Sequence, residues 1–261
     1  MSTRWAFIAL LATASASLAQ PIFFEPTTQD AGSTLADAVF TSGRGLVTQI
    51  RGELTFDEAV VGVDIYAVVQ VAGETLTVKT TNAFTDFDTI LFIFDQDGNA
   101  IAFNDDSDDP VYQLQSLVTI NSLPVNRRVY IAVTGYQLHP RNAGDPDNFI
   151  DPEYIFDPTE GTGIREPVVT DTQLFDWAEF QDQPPALGSY RLEIIGARYA
   201  ITGDLNLDRT VDTDDAILLI SELGRPLIGG PIQNPLSDLS GDSAVSAIDL
   251  AELLSNLGVT L

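Results

Sequence analysis

Apolar residues follow two different periods along this chain. Up to Ala200 they alternate with polar residues or run in short blocks. Leu76 and Val78 alternate with Thr75, Thr77 and Lys79; Val129, Ile131 and Val133 with Tyr130, Ala132 and Thr134; Tyr190, Leu192 and Ile194 with Arg191 and Glu193. A period of two places every second side chain on one face, as in a half-buried strand. Leu46–Arg51, Asp64–Val71, Thr89–Phe94, Ala100–Phe103 and Leu114–Ile120 read the same way, bounded by Gly, Asp, Asn and Pro. Roughly eight strands predict a mainly β fold, a β-sandwich of jelly-roll type, over residues 20–200.

Beyond Ala200 the period lengthens. Ala216, Leu219, Ile220 and Leu223 fall at i, i+3, i+4 and i+7, and Leu250, Leu253, Leu254 and Leu257 repeat that stripe in register. The spacing predicts two short amphipathic helices, each followed by a glycine suited to a C-cap, Gly224 and Gly258. The segments ahead of them, Gly203–Asp215 and Ser237–Asp249, align without gaps at an offset of 34 residues. Counting from Asp204, oxygen-bearing side chains stand at positions 1, 3, 5, 9 and 12: Asp204, Asn206, Asp208, Asp212 and Asp215. The second copy supplies Asp238, Ser240, Asp242, Ser246 and Asp249. Position 7, Thr210 or Ala244, would offer a backbone carbonyl, completing the spacing of a twelve-residue calcium loop. Val211 and Val245 at position 8 would join the loops through a short β-bridge. The plainer alternative makes Asp215 and Asp249 helix caps and nothing more.

Composition sharpens the case for a hard cation. Acids outnumber bases 38 to 12, for a net charge of −26, which disfavours nucleic acid and anionic lipid. There is no Cys, so disulfides, thiolate–metal sites and a cysteine nucleophile are excluded. The single His, His139, leaves little scope for imidazole chemistry. Oxygen ligands in abundance suit calcium, which would also stabilise an exported domain lacking disulfides. Export is expected from residues 1–19: Arg4, an apolar run from Trp5 to Ala12, then Ser17-Leu18-Ala19 before Gln20. That run is too short to span a membrane. The product is expected outside the cytoplasm, with periplasm, cell surface and exterior all open.

The paired loops resemble a type I dockerin, two calcium loop–helix motifs forming a small all-α domain, here over residues 201–261. The resemblance implies that the module binds calcium and docks to a protein partner, cohesin-like or on a cell surface. Two departures stand out. Position 6, usually Gly, is Arg209 and Ser243, at a cost of roughly 1 kcal/mol for a left-handed backbone. Positions 10 and 11, commonly a Ser-Thr-like pair that meets cohesin, are Thr213-Asp214 and Ala247-Ile248.

A second resemblance lies upstream. Val63-Asp64-Ile65-Tyr66, then Asp88-Thr89-Ile90-Leu91-Phe92-Ile93-Phe94-Asp95-Gln96-Asp97-Gly98, then Asn104-Asp105-Asp106, then Tyr130-Ile131-Ala132-Val133 are similar to the bacterial pre-peptidase C-terminal (PPC) domain. It implies an accessory sandwich of a kind found on secreted enzymes, some members of which bind calcium or insoluble polymers. Asp95–Asn99 reads most simply as a hairpin turn. Asp88, Asn104, Asp105 and Asp106 would gather at one end of the sandwich, to hold a second-domain metal or to cap turns. Near 137–185 the chain departs from the family through a long acidic insertion carrying His139, Tyr154 and Trp177, either a binding loop or a solvated excursion.

The expectation is therefore a secreted, non-catalytic calcium-binding attachment protein, with a polysaccharide-degrading context and a polysaccharide ligand both open. The alternative is a secreted enzyme, a glycoside hydrolase or peptidase-associated, using a carboxylate pair on the sandwich. No catalytic motif is present to favour it.

Overall fold

The computed structural model describes residues 22–26, 30–43, 45–57, 60–81, 83–107, 114–144, 151–159, 162–169, 172–180, 184–223, 237–240 and 244–260. The expected leader, Gly224 with the connector up to Leu236, Asp242 and Ser243 lie outside the described residues. The strands are β1 (Ile22–Phe24), β2 (Val39–Phe40), β3 (Gln49–Leu54), β4 (Phe56–Asp57), β5 (Val60–Val61), β6 (Val63–Gln70), β7 (Leu76–Thr80) and β8 (Thr89–Asp95). They continue with β9 (Ala100–Asn104), β10 (Leu117–Ile120), β11 (Arg127–Gly135), β12 (Leu138–Arg141), β13 (Asp176–Glu179), β14 (Gly188–Ile195) and β15 (Ala197–Tyr199). Two helices follow, α1 (Thr213–Glu222) and α2 (Ala247–Ser255).

One sheet runs β1-β3-β14-β7-β10, the other β15-β6-β11-β8-β9 with β2 also paired to β6. Most neighbours are antiparallel; β1 on β3 and β2 on β6 are parallel. The core between the sheets holds Ile50, Val68, Val78, Leu91, Ile93, Ile131 and Leu192. β7 buries alternate residues, as its sequence predicts. β6, β8 and β11 instead bury nearly every side chain, because the outer face of their sheet is covered as well. Their odd and even residues divide between two cores. Tyr66, Val68, Leu91 and Ile93 face the first sheet, while Ile65, Ala67, Ile90 and Phe92 face a second apolar layer. The unbroken run Ile90-Leu91-Phe92-Ile93-Phe94 is the sequence signature of such a doubly covered strand.

Two segments supply that layer. The described parts of the insertion form a wall against the sheet. β12 pairs with β13, and Arg141 grips Asp176 through two hydrogen bonds of 2.9 and 2.6 Å. Phe92 stacks on Phe103 at 5.5 Å, lies tilted against Phe156 at 5.6 Å and meets Trp177 edge-on at 5.5 Å. The Trp177 indole N–H donates to Ser33 O, tying the wall to the N-terminal segment. His139 is buried among Phe92, Phe103, Tyr154 and Phe180. Burial pushes its pKa down to about 4, so it serves as a neutral core ring. Asp145 and Asp147 of the insertion lie outside the described residues.

The other cover comes from the C-terminal segment. Ala200, Ile201, Leu205, Leu207, Val211, Leu219, Val245 and Leu253 belong to the same apolar cluster as Ile65, Phe92 and Tyr130. The helices thus share a core with the sheet. That also explains a narrower stripe than the sequence predicts. Leu219 and Leu253 are fully buried and Ala216 and Leu250 partly so, whereas Ile220, Leu223, Leu254 and Leu257 are exposed. Among the described residues no helix is long and apolar enough to cross a membrane.

Candidate metal centre

The first loop leaves β15 and wraps around two buried carboxylates. Asp204 at position 1 accepts the amides of Asp208 at 3.0 Å and Arg209 at 3.1 Å. Asp215 at position 12 accepts those of Leu205 and Asn206 on Oδ1, at 2.8 and 3.2 Å, and that of Asp212 on Oδ2 at 2.9 Å. Both side chains are fully buried. Asn206 and Asp208, at positions 3 and 5, stand at the exposed rim and bond each other at 3.0 Å. The Asp208 carboxylate also accepts the Thr210 amide at 2.9 Å. The backbone turns where a twelve-residue calcium loop must turn: Leu207 has φ 58° and Arg209 φ 84°. Arg209 accepts the left-handed conformation expected at position 6 despite its Cβ.

Asp212 at position 9 caps α1, its Oδ1 accepting the Asp214 amide at 2.8 Å, and Asp215 closes a capping box from the third helical position. The position-12 carboxylate thus caps the helix, as the plainer alternative expects, and also braces the loop. The second copy repeats this. Ser246 caps α2, and the buried Asp249 accepts Ser240 N at 2.8 Å and Ser246 N at 2.7 Å. Burial alone would raise the Asp249 pKa, but the hydrogen bonds from Ser240 and Ser246 hold it below the usual range. Ser240 also reaches Asp238 at 3.4 Å, and Ala244 at position 7 is half-buried. Asp242, at position 5, is not among the described residues.

The expected bridge between Val211 and Val245 is replaced. Val211 N donates to Val259 O at 2.9 Å and Gly258 N to Val211 O at 2.8 Å, so the first loop pairs with the chain leaving α2. Both valines remain buried in the common core.

Residues missed by sequence reasoning tie the first loop to the sandwich. Arg198 of β15 donates to Leu207 O at 2.9 Å and lies 3.9 Å from the Asp204 carboxylate. Arg128 of β11 donates to Asp204 O at 3.4 Å and sits over the Phe40 ring. Asn126 donates to Leu207 O at 3.3 Å. Both arginines are almost completely buried. Burial raises the Asp204 pKa and the Asp215 charge adds to it, against the pull of Arg198 and the loop amides. A cation in an otherwise apolar strand, Ala197-Arg198-Tyr199-Ala200, was the available signal.

In the sandwich, one carboxylate oxygen from each of Asp88, Asp105 and Asp106 lies within 4.8 Å of the other two. Asn104 works on the backbone instead: its Oδ1 accepts Leu117 N at 2.7 Å and its Nδ2 donates to Asp106 O at 2.8 Å. A second trio, Glu25, Asp30 and Asp64, is joined by the buried phenols of Tyr66 and Tyr190. Burial raises Asp64 to about 9 and Glu25 to about 7. Glu25 is already engaged by the amides of Ala31 at 3.0 Å and Glu53 at 2.9 Å.

Residues 202–258 match the family model of the dockerin type I domain. Domains of this type bind calcium and cohesin partners, and they are not catalytic. Among solved structures, the chain is similar to the pre-peptidase C-terminal domain of a collagenase from Bacillus anthracis. The identity is 12%, with 58% of this chain and 91% of that chain covered and a TM-score of 0.28. No curated protein matches the chain.

Proposed function

We propose that the protein is an exported, non-catalytic attachment protein. In this reading residues 20–200 form an accessory sandwich with an insertion near 137–185, and residues 201–261 form a calcium-organised docking module. The observation that carries it is the repeated loop. Two buried position-12 carboxylates, each bracing the start of the helix that follows, recur at a 34-residue spacing inside a dockerin-type match. The donor set fits calcium. It is all oxygen, and the first loop already has the left-handed turns that the ion requires. Asp204, Asn206, Asp208, Asp212, Asp215 and the Thr210 carbonyl would hold one ion. Asp238, Ser240, Asp242, Ser246, Asp249 and the Ala244 carbonyl would hold the other. Ile217, Ile220, Ile248 and Leu254 are exposed on the helices, an apolar surface suited to a protein partner.

Isothermal calorimetry of the full chain should register calcium uptake at the two loops, with Asp215→Ala and Asp249→Ala each removing one ion. A pull-down with and without EDTA then tests docking. Uptake unchanged in both variants would refute the calcium module, and capture that ignores chelation would refute the coupling to docking.

A further inference from the structure

We propose that Asp88, Asp105 and Asp106 bind one calcium ion at an end of the sandwich, a site separate from the two C-terminal loops. The hairpin register builds it. Leu91 of β8 pairs with Asn104 of β9, so Asp88, just before β8, and Asp105-Asp106, just after β9, come together at the same end of the sheet. The backbone there is fixed from several directions. Tyr136 N donates to Asp88 O at 3.0 Å, Gly163 N to Asp106 O at 3.1 Å, and the Asn104 amide holds Asp106 O as well.

The side chains, by contrast, are left unsatisfied. Asp105 is 7% exposed, and the Oδ1 atoms of Asp88, Asp105 and Asp106 are all shielded from solvent without a hydrogen-bond partner. An unpartnered buried carboxylate is among the most costly groups a fold can hold. The half-buried carboxylates of Asp88 and Asp106, with oxygens within 4.8 Å, add mutual repulsion. A fourth shielded acceptor without a partner, Gln115 Oε1, belongs to a side chain whose Nε2 donates to the carbonyl of Phe87, next to Asp88. The trio of Glu25, Asp30 and Asp64 shows the contrast, because phenols and amides there supply the missing donors.

A cation answers all of these features together. Oxygen-only ligands select a hard ion, and oxygens within 4.8 Å of one another can all reach one calcium ion at bonds of about 2.4 Å. Magnesium dehydrates reluctantly and usually takes only one or two carboxylates, so a trio favours calcium. Without the ion, burial and the neighbouring charges of Asp88 and Asp106 push Asp105 up to about 8, and Asp88 rises to about 6. Protons then partly replace the missing charge.

Equilibrium dialysis of the full chain against calcium, up to about 5 mM to cover the weak affinities of extracellular sites, tests this. Asp105→Asn should bind one ion fewer than the parent, and Asp88→Asn should do the same. In EDTA, Asp105→Asn should be at least as stable as the parent, because it removes a repelled carboxylate, while calcium should stabilise it less. An equal ion count in parent and both variants overturns the site, as does a stability loss of the same size in chelator and in calcium. The loop variants Asp215→Ala and Asp249→Ala should leave this ion in place, so failure of the docking-module reading would be seen separately.

Discussion

At the residue scale, the loop turns on Arg209. Its φ of 84° is a conformation glycine adopts freely, and its charge adds to the burial that lowers the pKa of the neighbouring Arg198. Arg209→Gly is expected to relieve about 1 kcal/mol of strain, raising folding stability by about that amount in a denaturation titration. Asp204 and Asp238 occupy equivalent positions but differ in burial, Asp204 being fully enclosed beside Arg198 and Asp238 only half-buried. Asp204→Ala should therefore cost more stability and calcium affinity than Asp238→Ala, and equal losses would contradict the ordering. The two repeated loops were legible because their oxygen-bearing residues recur at fixed sequence intervals. Arg128, Arg198 and Asn126 were not, because a strand arginine reveals its partner only once the chain has folded back on the loop.

At the scale of elements, strand boundaries were readable where alternation was clear, as in β7 and β14. In β6, β8 and β11 the sequence showed strands, but the cover on their second face comes from distant segments that carry no period of their own. The same sheet also carries buried acids, Asp64 in β6 and Asp105 just after β9, that make stability depend on pH. Folded Asp64 and Asp105, at about 9 and about 8, keep protons that unfolded carboxyls release near 4. The folded chain then binds more protons than the unfolded chain, so stability falls as pH rises through that range. His139 acts oppositely, since its folded pKa of about 4 makes stability rise with pH up to about 6.5. From about pH 6.5 to 8.5 the carboxyls act without it. In EDTA, thermal melts should show a loss on the order of 1–3 kcal/mol per pH unit there, flattened in part by Asp64→Asn. Calcium should remove the share due to Asp105, and a melting temperature that climbs across this window would contradict the assignment.

On the scale of the whole molecule, the helices and the sandwich are not beads on a string. Leu205, Leu207, Val211, Leu219 and Leu253 complete an apolar layer that Phe92, Tyr130 and Ile155 begin, and Arg198 and Arg128 fasten the first loop to two strands of the same sheet. Calcium binding at the tail should therefore reach the sandwich as stability. A ligand that binds only the folded state at a hundred times its Kd adds about 2.7 kcal/mol, which becomes a shift of about 5–10 °C for a chain of this size. Full-length protein is expected to melt in one transition that moves upward with calcium, read at the aromatic signals of the sandwich. Leu253→Ala, which opens a cavity in the shared layer, should lower that single transition by roughly 2–5 kcal/mol. A chain ending at Ala200 would expose the sheet face around Ala200, Tyr130 and Phe40 and should melt lower and aggregate. If the sandwich signals keep their midpoint while the helices melt separately and alone respond to calcium, the shared layer does not couple the two parts.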